Sequence, residues 1–148
     1  MERRQLKHFC RSRRICWGTV IFEYAVPHTV RTFARAGYEW LWIDCEHNAI
    51  GLDTVLELVR TAQDAGIATI VRVTQGEYDH IARTLDTGVD GIMVPRVETP
   101  EQMRHIVECA KYPPVGRRGF GIRPVMLGAQ ALSMKDRIAD QNETRLLC

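Results

Sequence analysis

The amino-acid sequence predicts an α/β fold in which helices cover a parallel sheet. Short apolar runs alternate with amphipathic segments, and the runs are continuous, as in strands covered on both faces. An open doubly wound sheet and part of an eight-unit (β/α)8 TIM barrel both fit this pattern. A complete barrel needs about 250 residues. The 148 residues would therefore form the N-terminal part of a barrel, a single incomplete domain with a basic helix at about 1–14 and βα units over 16–148.

The first elements follow from charge and periodicity. The basic segment predicts a short solvated helix, with an anionic contact or a targeting arm as the alternative. Residues 17–22 are an apolar run typical of a strand. Residues 28–36 have helical spacing and precede Gly37, and residues 40–45 form a second apolar strand. No Gly-rich phosphate loop follows the first strand, which weakens the dinucleotide-binding form of the open sheet.

The middle of the chain carries the clearest helical stripe. Apolar residues between 55 and 62 recur at i, i+3, i+4 and i+7, so this segment predicts an amphipathic helix. Asp53 or a neighbour is expected to cap its start, and Gly66 to end it. The pattern then predicts a strand, a helix and another strand at residues 68–73, 78–87 and 91–97.

The fourth amphipathic helix has the best-marked start. Thr99 is a good N-cap, Pro100 suits the first helical position, and Gln102 stands at capping-box spacing. Prolines at 113 and 114 end this helix. The remaining sequence predicts an irregular segment at 115–128, a last helix at about 129–140 and the start of a new strand at Arg145. A chain that ends where a strand begins is expected to be a fragment or a shortened gene product.

Composition narrows the class of protein. Hydrophobic residues make up 45% and charged residues 26%, which is ordinary for a folded soluble domain, and a net charge of +2 does not suggest a nucleic-acid partner. No apolar run is long enough for a membrane span, and no secretory signal is present. The five cysteines form no CxxC pair and are expected to be reduced thiols in a cytoplasmic protein.

Chemically useful side chains gather where the predicted strands end. His47 follows the second strand and could act as a general base, or it could be an ordinary exposed loop residue. Arg72 ends the third strand, where a buried guanidinium needs either a structural carboxylate or a ligand carboxylate. Pro95 and Arg96 end the fourth strand. Carboxyl ends of parallel strands share one rim, so these groups should meet there and would suit an anionic substrate that loses a proton.

Other residues near this rim have two interpretations each. Asp44 and Glu46 could hold a metal or its waters, or they could belong to a solvated loop. Cys45 is expected to be a small buried residue rather than a nucleophile. The Gly-rich basic segment 116–121 could cradle an anion, or it could be a flexible surface loop.

Four linked motifs resemble the HpcH/HpaI aldolases. Residues 36–47, AGYEWLWIDCEH, resemble the family's AGFDWLxIDxEH signature, and residues 71–73 resemble the strand that follows it. Residues 85–95 look like its LDxGxxGIxVPxV stretch, and residues 112–119 like its YPPxGxRG loop. Residues 122–130 depart from the family's usual continuation, and Cys45 stands where many members have Gly.

The resemblance implies a barrel of the phosphoenolpyruvate/pyruvate superfamily type and reversible aldol cleavage to pyruvate and an aldehyde. It also implies a homo-oligomer and a divalent metal such as Mg²⁺, Mn²⁺ or Co²⁺. By position, His47 matches the family's catalytic base and Arg72 the arginine that binds pyruvate and stabilises its enolate. Asp86 matches the aspartate that makes the histidine more basic, and Asp44 would lie near the metal-bound water.

Some implied features have no place in this sequence. The family's metal-ligand Glu and Asp would lie beyond Cys148, so no metal ligand is assigned here. The predicted helix puts Asp86 at the end of the barrel opposite His47. Contact would require that helix to end early, or a neighbouring subunit to provide it. Two other functions stay open: an inactive half-barrel that only self-associates, and a related barrel lyase acting on acyl-CoA or phosphoenolpyruvate compounds.

Overall fold

The computed structural model describes residues 6–12, 14–121 and 133–148. Its centre is a five-stranded, wholly parallel sheet in the order β1-β2-β3-β4-β5. The elements, in chain order, are α1 (Leu6–Arg11), β1 (Gly18–Ile21), α2 (Pro27–Arg35), β2 (Trp40–Asp44), α3 (Leu52–Ala65), β3 (Ala68–Arg72), α4 (Tyr78–Asp86), β4 (Gly91–Met93), α5 (Pro100–Ala110), α6 (Met134–Thr144) and β5 (Leu146–Leu147).

The strand order decides between the two architectures that the sequence allowed. A doubly wound sheet reverses its strand order at a switch point. Here each strand pairs with the strand before it in sequence, and no reversal occurs among the five. The fold is therefore the singly wound arrangement of a barrel segment.

Side chains alternate between the two faces of the sheet, as the two-residue period of a strand requires. Leu41, Ile43 and Val71 are buried on the face covered by the helices, in the main core with Val30 of α2 and Leu58 of α3. The opposite face carries a second, smaller apolar cluster. It contains Leu6 of α1 with Trp40, Ala68, Ile70, Met93 and Leu146.

Glycine makes room on this second face. A Cβ on Gly18 would lie 2.0 Å from the indole of Trp40, its register partner on β2. Near the other edge of the sheet, a Cβ on Gly91 would lie 2.8 Å from the Cβ of Leu146. These two small residues let the large side chains of β2 and β5 lie across their neighbours.

Polar contacts connect α6 and β5 to the rest of the chain. Lys111 is buried after α5, and its ammonium donates to the carbonyl oxygens of Asn142 and Arg145. Asn142 also exchanges two hydrogen bonds with the backbone of Tyr112. Burial lowers the pKa of Lys111 to about 8. The new strand expected near Arg145 is confirmed, since β5 pairs in parallel with β4.

Several predicted boundaries were wrong. The N-cap of α3 is Gly51, without a side-chain hydrogen bond, and Asp53 lies in the first turn. The strand expected at 91–97 ends at Met93, since the chain then passes through Pro95 and the left-handed Arg96. The strand expected at 17–22 is shorter at both ends. The capping box at Thr99 is confirmed.

Other expectations fall partly outside the described residues. Residues 1–5 and 13 of the basic N-terminal helix lie outside them, as does the whole of 122–132 with the start of the predicted last helix. That helix begins at Met134 in the structure and ends at Thr144, beyond the predicted boundary near 140. No helix in the described ranges has the length and apolar character needed to cross a membrane.

Candidate functional site

The carboxyl ends of β2 and β3 bring a carboxylate and a guanidinium into contact. Asp44 is the last residue of β2, and Arg72, its register partner, is the last residue of β3. Arg72 Nε donates to Asp44 Oδ1 at 2.8 Å, and Nη2 donates to Oδ2 at 2.6 Å. This is the bidentate geometry in which a guanidinium binds a carboxylate most strongly. The partner that sequence reasoning required for Arg72 is therefore a carboxylate of the chain itself.

The pair changes the acidity of both groups. Asp44 is fully buried. Hydrogen bonding from Arg72 lowers its pKa, more than burial raises it, and backbone N–H groups of the following loop lower it further. The same hydrogen bonds raise the pKa of Arg72, with Glu46 adding to the effect. Both side chains are therefore ionised at neutral pH.

Glu46 connects this pair to two further residues. Its side chain is 8% exposed, and Oε2 lies 3.2 Å from Arg72 Nη1 and 3.6 Å from His47 Nε2. The other oxygen, Oε1, lies 3.1 Å from Arg96 Nη2. One carboxylate thus faces two guanidinium groups and the imidazole that the family motif singles out.

The environment of each candidate base or nucleophile differs. His47 is 67% exposed and is open to solvent and to a ligand from the rim. Burial raises the pKa of Cys45 to about 11, so its thiol is protonated at neutral pH and is not an activated nucleophile. The guanidinium of Arg72 lies over the ring of Trp42, with 5.2 Å from Cζ to the centroid.

Asp86 is not in contact with His47. It is the last residue of α4, at the opposite end of the barrel segment from the strand carboxyl ends, so the helix does not end early. Its Oδ1 instead accepts a hydrogen bond of 2.6 Å from Arg118 Nη2. Arg118 is buried, with its guanidinium over the ring of Tyr112. Of the two possibilities, an early end of the helix or a contact from a neighbouring subunit, only the second is left for Asp86 and a histidine.

The segment 116–121 does not form the free anion cradle that its composition allowed. Its two arginines have protein partners, Arg118 with Asp86 and Arg117 with Glu108 at 3.8 Å. The backbone N–H of Gly119 donates to the hydroxyl of Tyr78. Gly116 packs so closely on the carbonyl oxygen of Lys111 that a Cβ would lie 2.4 Å from it. The segment is thus an exposed connection that is anchored to the body by the buried Arg118.

The acidic side chains at the rim do not form a metal site on their own. Asp44 is held by Arg72, and Glu46 lies between Arg72 and Arg96. Within residues 6–12, 14–121 and 133–148, no group of three or more His, Cys, Asp or Glu side chains could hold a metal ion. The residues present therefore do not supply a complete ligand set, and no chemical step is assigned to a metal here.

Comparison with known proteins decides the family. The pattern of the HpcH/HpaI aldolase/citrate lyase family matches residues 20–148. The chain belongs to this family. The HpcH/HpaI aldolase of Desulfitobacterium hafniense has a crystal structure that matches with a TM-score of 0.86 and 32% identity over 95% of this chain and 54% of its own. The resemblance and the partial-barrel fold predicted from the motifs are thus confirmed.

Two curated relatives show how the length of this chain compares with theirs. The hydroxypyruvate/pyruvate aldolase of Delftia acidovorans is 38% identical over 98 residues, 66% of this chain and 36% of the relative. The one of Roseovarius nubinhibens is 31% identical over 132 residues, 89% of this chain and 49% of the relative. The chain spans about half the length of these relatives or less.

The sequence did not predict which charged side chains of the site contact one another. It placed Asp44, Glu46, Arg72 and Arg96 near one rim, but it did not predict that Glu46 lies between two arginines. Nor did it find the pairing of Asp86 with Arg118. The pairing of Asp44 with Arg72 could have been predicted, since the two residues end neighbouring parallel strands.

The Asp44–Arg72 pair predicts an acid-sensitive fold. The pKa of Asp44 is lowered below its ordinary value of 3.8, so its contribution to stability is present above that value and is lost as pH falls through the folded-state pKa. We expect Asp44→Asn to lower the free energy of unfolding by about 2 kcal/mol at neutral pH, as for a hydrogen bond to a charged group. Urea unfolding at a series of pH values measures both quantities.

The matched control is Asp64→Asn, which changes an exposed carboxylate on α3. This control should keep the wild-type loss of stability below pH 4, whereas Asp44→Asn should reduce that loss. An unchanged acid dependence in Asp44→Asn would show that the pair does not stabilise the fold.

Proposed function

We propose that this chain contributes the proton-transfer and anion-binding half of an aldolase active site. The proposed reaction is the reversible cleavage of a 4-hydroxy-2-oxo acid to pyruvate and an aldehyde. The observation that carries the proposal is the cluster of Asp44, Glu46, His47 and Arg72 at the carboxyl ends of two neighbouring strands in an HpcH/HpaI family chain. Other family members provide the class of reaction, and this cluster provides groups suited to it.

Each group has a part in this proposal. Cleavage leaves negative charge on the pyruvate enolate, and a fixed cation stabilises such charge as it develops. Arg72 is held by Asp44 in one orientation, and only two of its five N–H groups donate to Asp44. Nη1 also lies 3.2 Å from Glu46 Oε2, so the two N–H groups that remain, one on Nη1 and one on Nη2, would bind a pyruvate oxygen. His47 is solvent-accessible and would move the proton between the substrate and water.

The proposal includes partners and a cofactor. We infer a divalent metal, Mg²⁺, Mn²⁺ or Co²⁺, from the family resemblance; its complete ligand set would need residues other than those described. We also propose a cytoplasmic homo-oligomer, in which Asp86 of one subunit would approach His47 of another. The exposure of part of the Asp86 side chain, 26%, is compatible with such a contact.

The test uses a hybrid aldolase, in which residues 20–148 replace the matching half of the Roseovarius nubinhibens enzyme. We expect the hybrid, with Mn²⁺, to exchange the methyl protons of pyruvate for deuterium in D₂O, which NMR spectroscopy follows directly. Circular dichroism verifies that the hybrid is folded. A folded hybrid that binds Mn²⁺ and exchanges no protons would contradict the proposed function.

A further inference from the structure

A second cation stands beside Arg72 at the rim. Arg96 follows β4, and its Nη2 lies 3.1 Å from Glu46 Oε1, while Arg72 Nη1 lies 3.2 Å from the other oxygen of the same carboxylate. We propose that Arg96 determines substrate specificity by binding an anionic group on the aldehyde portion of the substrate. This inference rests on the proposed aldolase function and adds the charge class of its second substrate.

The backbone at Arg96 supports a functional role. Its φ is +57°, and Arg96 is one of two non-glycine residues in the described ranges with positive φ. A left-handed conformation is unfavourable for a residue that carries a Cβ, and such residues cluster at functional sites. Here the turn ends β4 and brings the guanidinium back across β3 towards Glu46.

Exposure separates the roles of the two arginines. The side chain of Arg72 is 19% exposed and is bound on one edge by Asp44. That of Arg96 is 75% exposed, although the Glu46 carboxylate it contacts is buried. Arg96 is therefore anchored at one nitrogen and presents the rest of its guanidinium to solvent above the rim.

The charge of Arg96 decides whether the rim repels a second anionic group on the ligand. Asp44 and Glu46 carry two negative charges, and Arg72 and Arg96 carry two positive charges, so the cluster is neutral. Without Arg96 it would be negative and would repel a dianion. A guanidinium binds carboxylates in a planar, two-point manner. The expected substrate is therefore a 2-oxo acid with a carboxylate at its far end, which yields an aldehyde that also carries an acid group.

The experiment compares two non-cleavable probes of equal chain length, 2-oxoadipate and 2-oxohexanoate. Neither has the 4-hydroxyl group that cleavage requires, and they differ only in the terminal carboxylate. Their Kd values for the 148-residue chain are measured by NMR titration at low ionic strength. We expect 2-oxoadipate to bind about three- to ten-fold more tightly, the effect of one exposed charge-assisted contact.

Three variants separate a local effect from a change in net charge. Arg96→Met should remove the preference for 2-oxoadipate, and Arg96→Lys should keep part of it. Arg104→Met is the matched control: Arg104 is 68% exposed and lies 3.0 Å from Glu101, so the same charge is lost on the outer helix α5. This control should keep the full preference. Urea unfolding verifies that each variant is folded.

The outcomes distinguish the inference from the proposed function. If Arg96→Met keeps the preference for the dianion, or if Arg104→Met loses it equally, Arg96 is not the specificity residue. Binding of 2-oxohexanoate tests the function separately, because it should depend on Arg72 and be weakened by Arg72→Met. If neither probe binds, or if Arg72→Met binds 2-oxohexanoate as tightly as the wild type does, the rim is not a 2-oxo acid site.

Discussion

Replacing Arg72 with Met in the hybrid aldolase is expected to slow pyruvate methyl-proton exchange by about 10²–10³-fold, the usual effect of removing one donor that stabilises a developing oxyanion. The side chain of Met has similar length but no charge, so the enolate oxygen would lose its fixed cation. The exchange rate, measured by NMR at saturating Mn²⁺ and pyruvate, provides the readout.

A second variant separates catalysis from folding. Arg72→Met alone leaves the carboxylate of Asp44 buried and without its bidentate partner, which destabilises the protein. The double variant Asp44→Asn/Arg72→Met removes both charges and should recover much of the lost stability. Its exchange rate should stay low. If exchange recovers together with stability, Arg72 supports the fold and has no direct part in enolate formation.

Replacing His47 with Ala is expected to lower the same exchange rate by about 10²–10⁴-fold, the range for loss of a general acid–base group. Its stability should change little, because the side chain is 67% exposed and its one described contact is with Glu46 at 3.6 Å. The loss should thus appear in the rate and not in the unfolding midpoint.

Free imidazole provides a direct test of this role. The space left by the exposed ring in His47→Ala is open to solvent, so added imidazole should restore part of the exchange. His28→Ala, which removes an exposed histidine from α2, is the matched control and should keep the wild-type rate. Full activity in His47→Ala would assign the proton transfer to another group.

The sequence was sufficient for the order and type of the elements because hydrophobic periodicity is a local property. The stripe of α3 and the capping box of α5 depend only on residues within a few positions of one another. The positions of Asp44 and Arg72 at strand ends follow from the same periodicity, since both close a buried apolar run. The family motifs then assign a role to His47.

The sequence could not predict pairings that depend on how distant elements meet. Arg96 contacts Glu46 from a left-handed conformation after β4, and nothing local to Pro95 indicates that conformation. Asp86 at the end of α4 contacts Arg118 in the segment after α5. The two residues are adjacent in space but 32 positions apart in sequence. The Gly-rich basic composition around Arg118 allowed an anion cradle or a flexible surface loop, and neither interpretation indicated that the guanidinium is buried against Asp86.

The order of the strands has a consequence for synthesis of the protein. Each strand from β2 to β5 pairs with the strand made just before it. Every new strand and helix that leaves the ribosome therefore finds its docking edge already present, and the domain can grow from its N-terminus by adding one βα unit at a time. The Asp44–Arg72 pair would form at the second such addition, before β4 and Arg96 have left the ribosome.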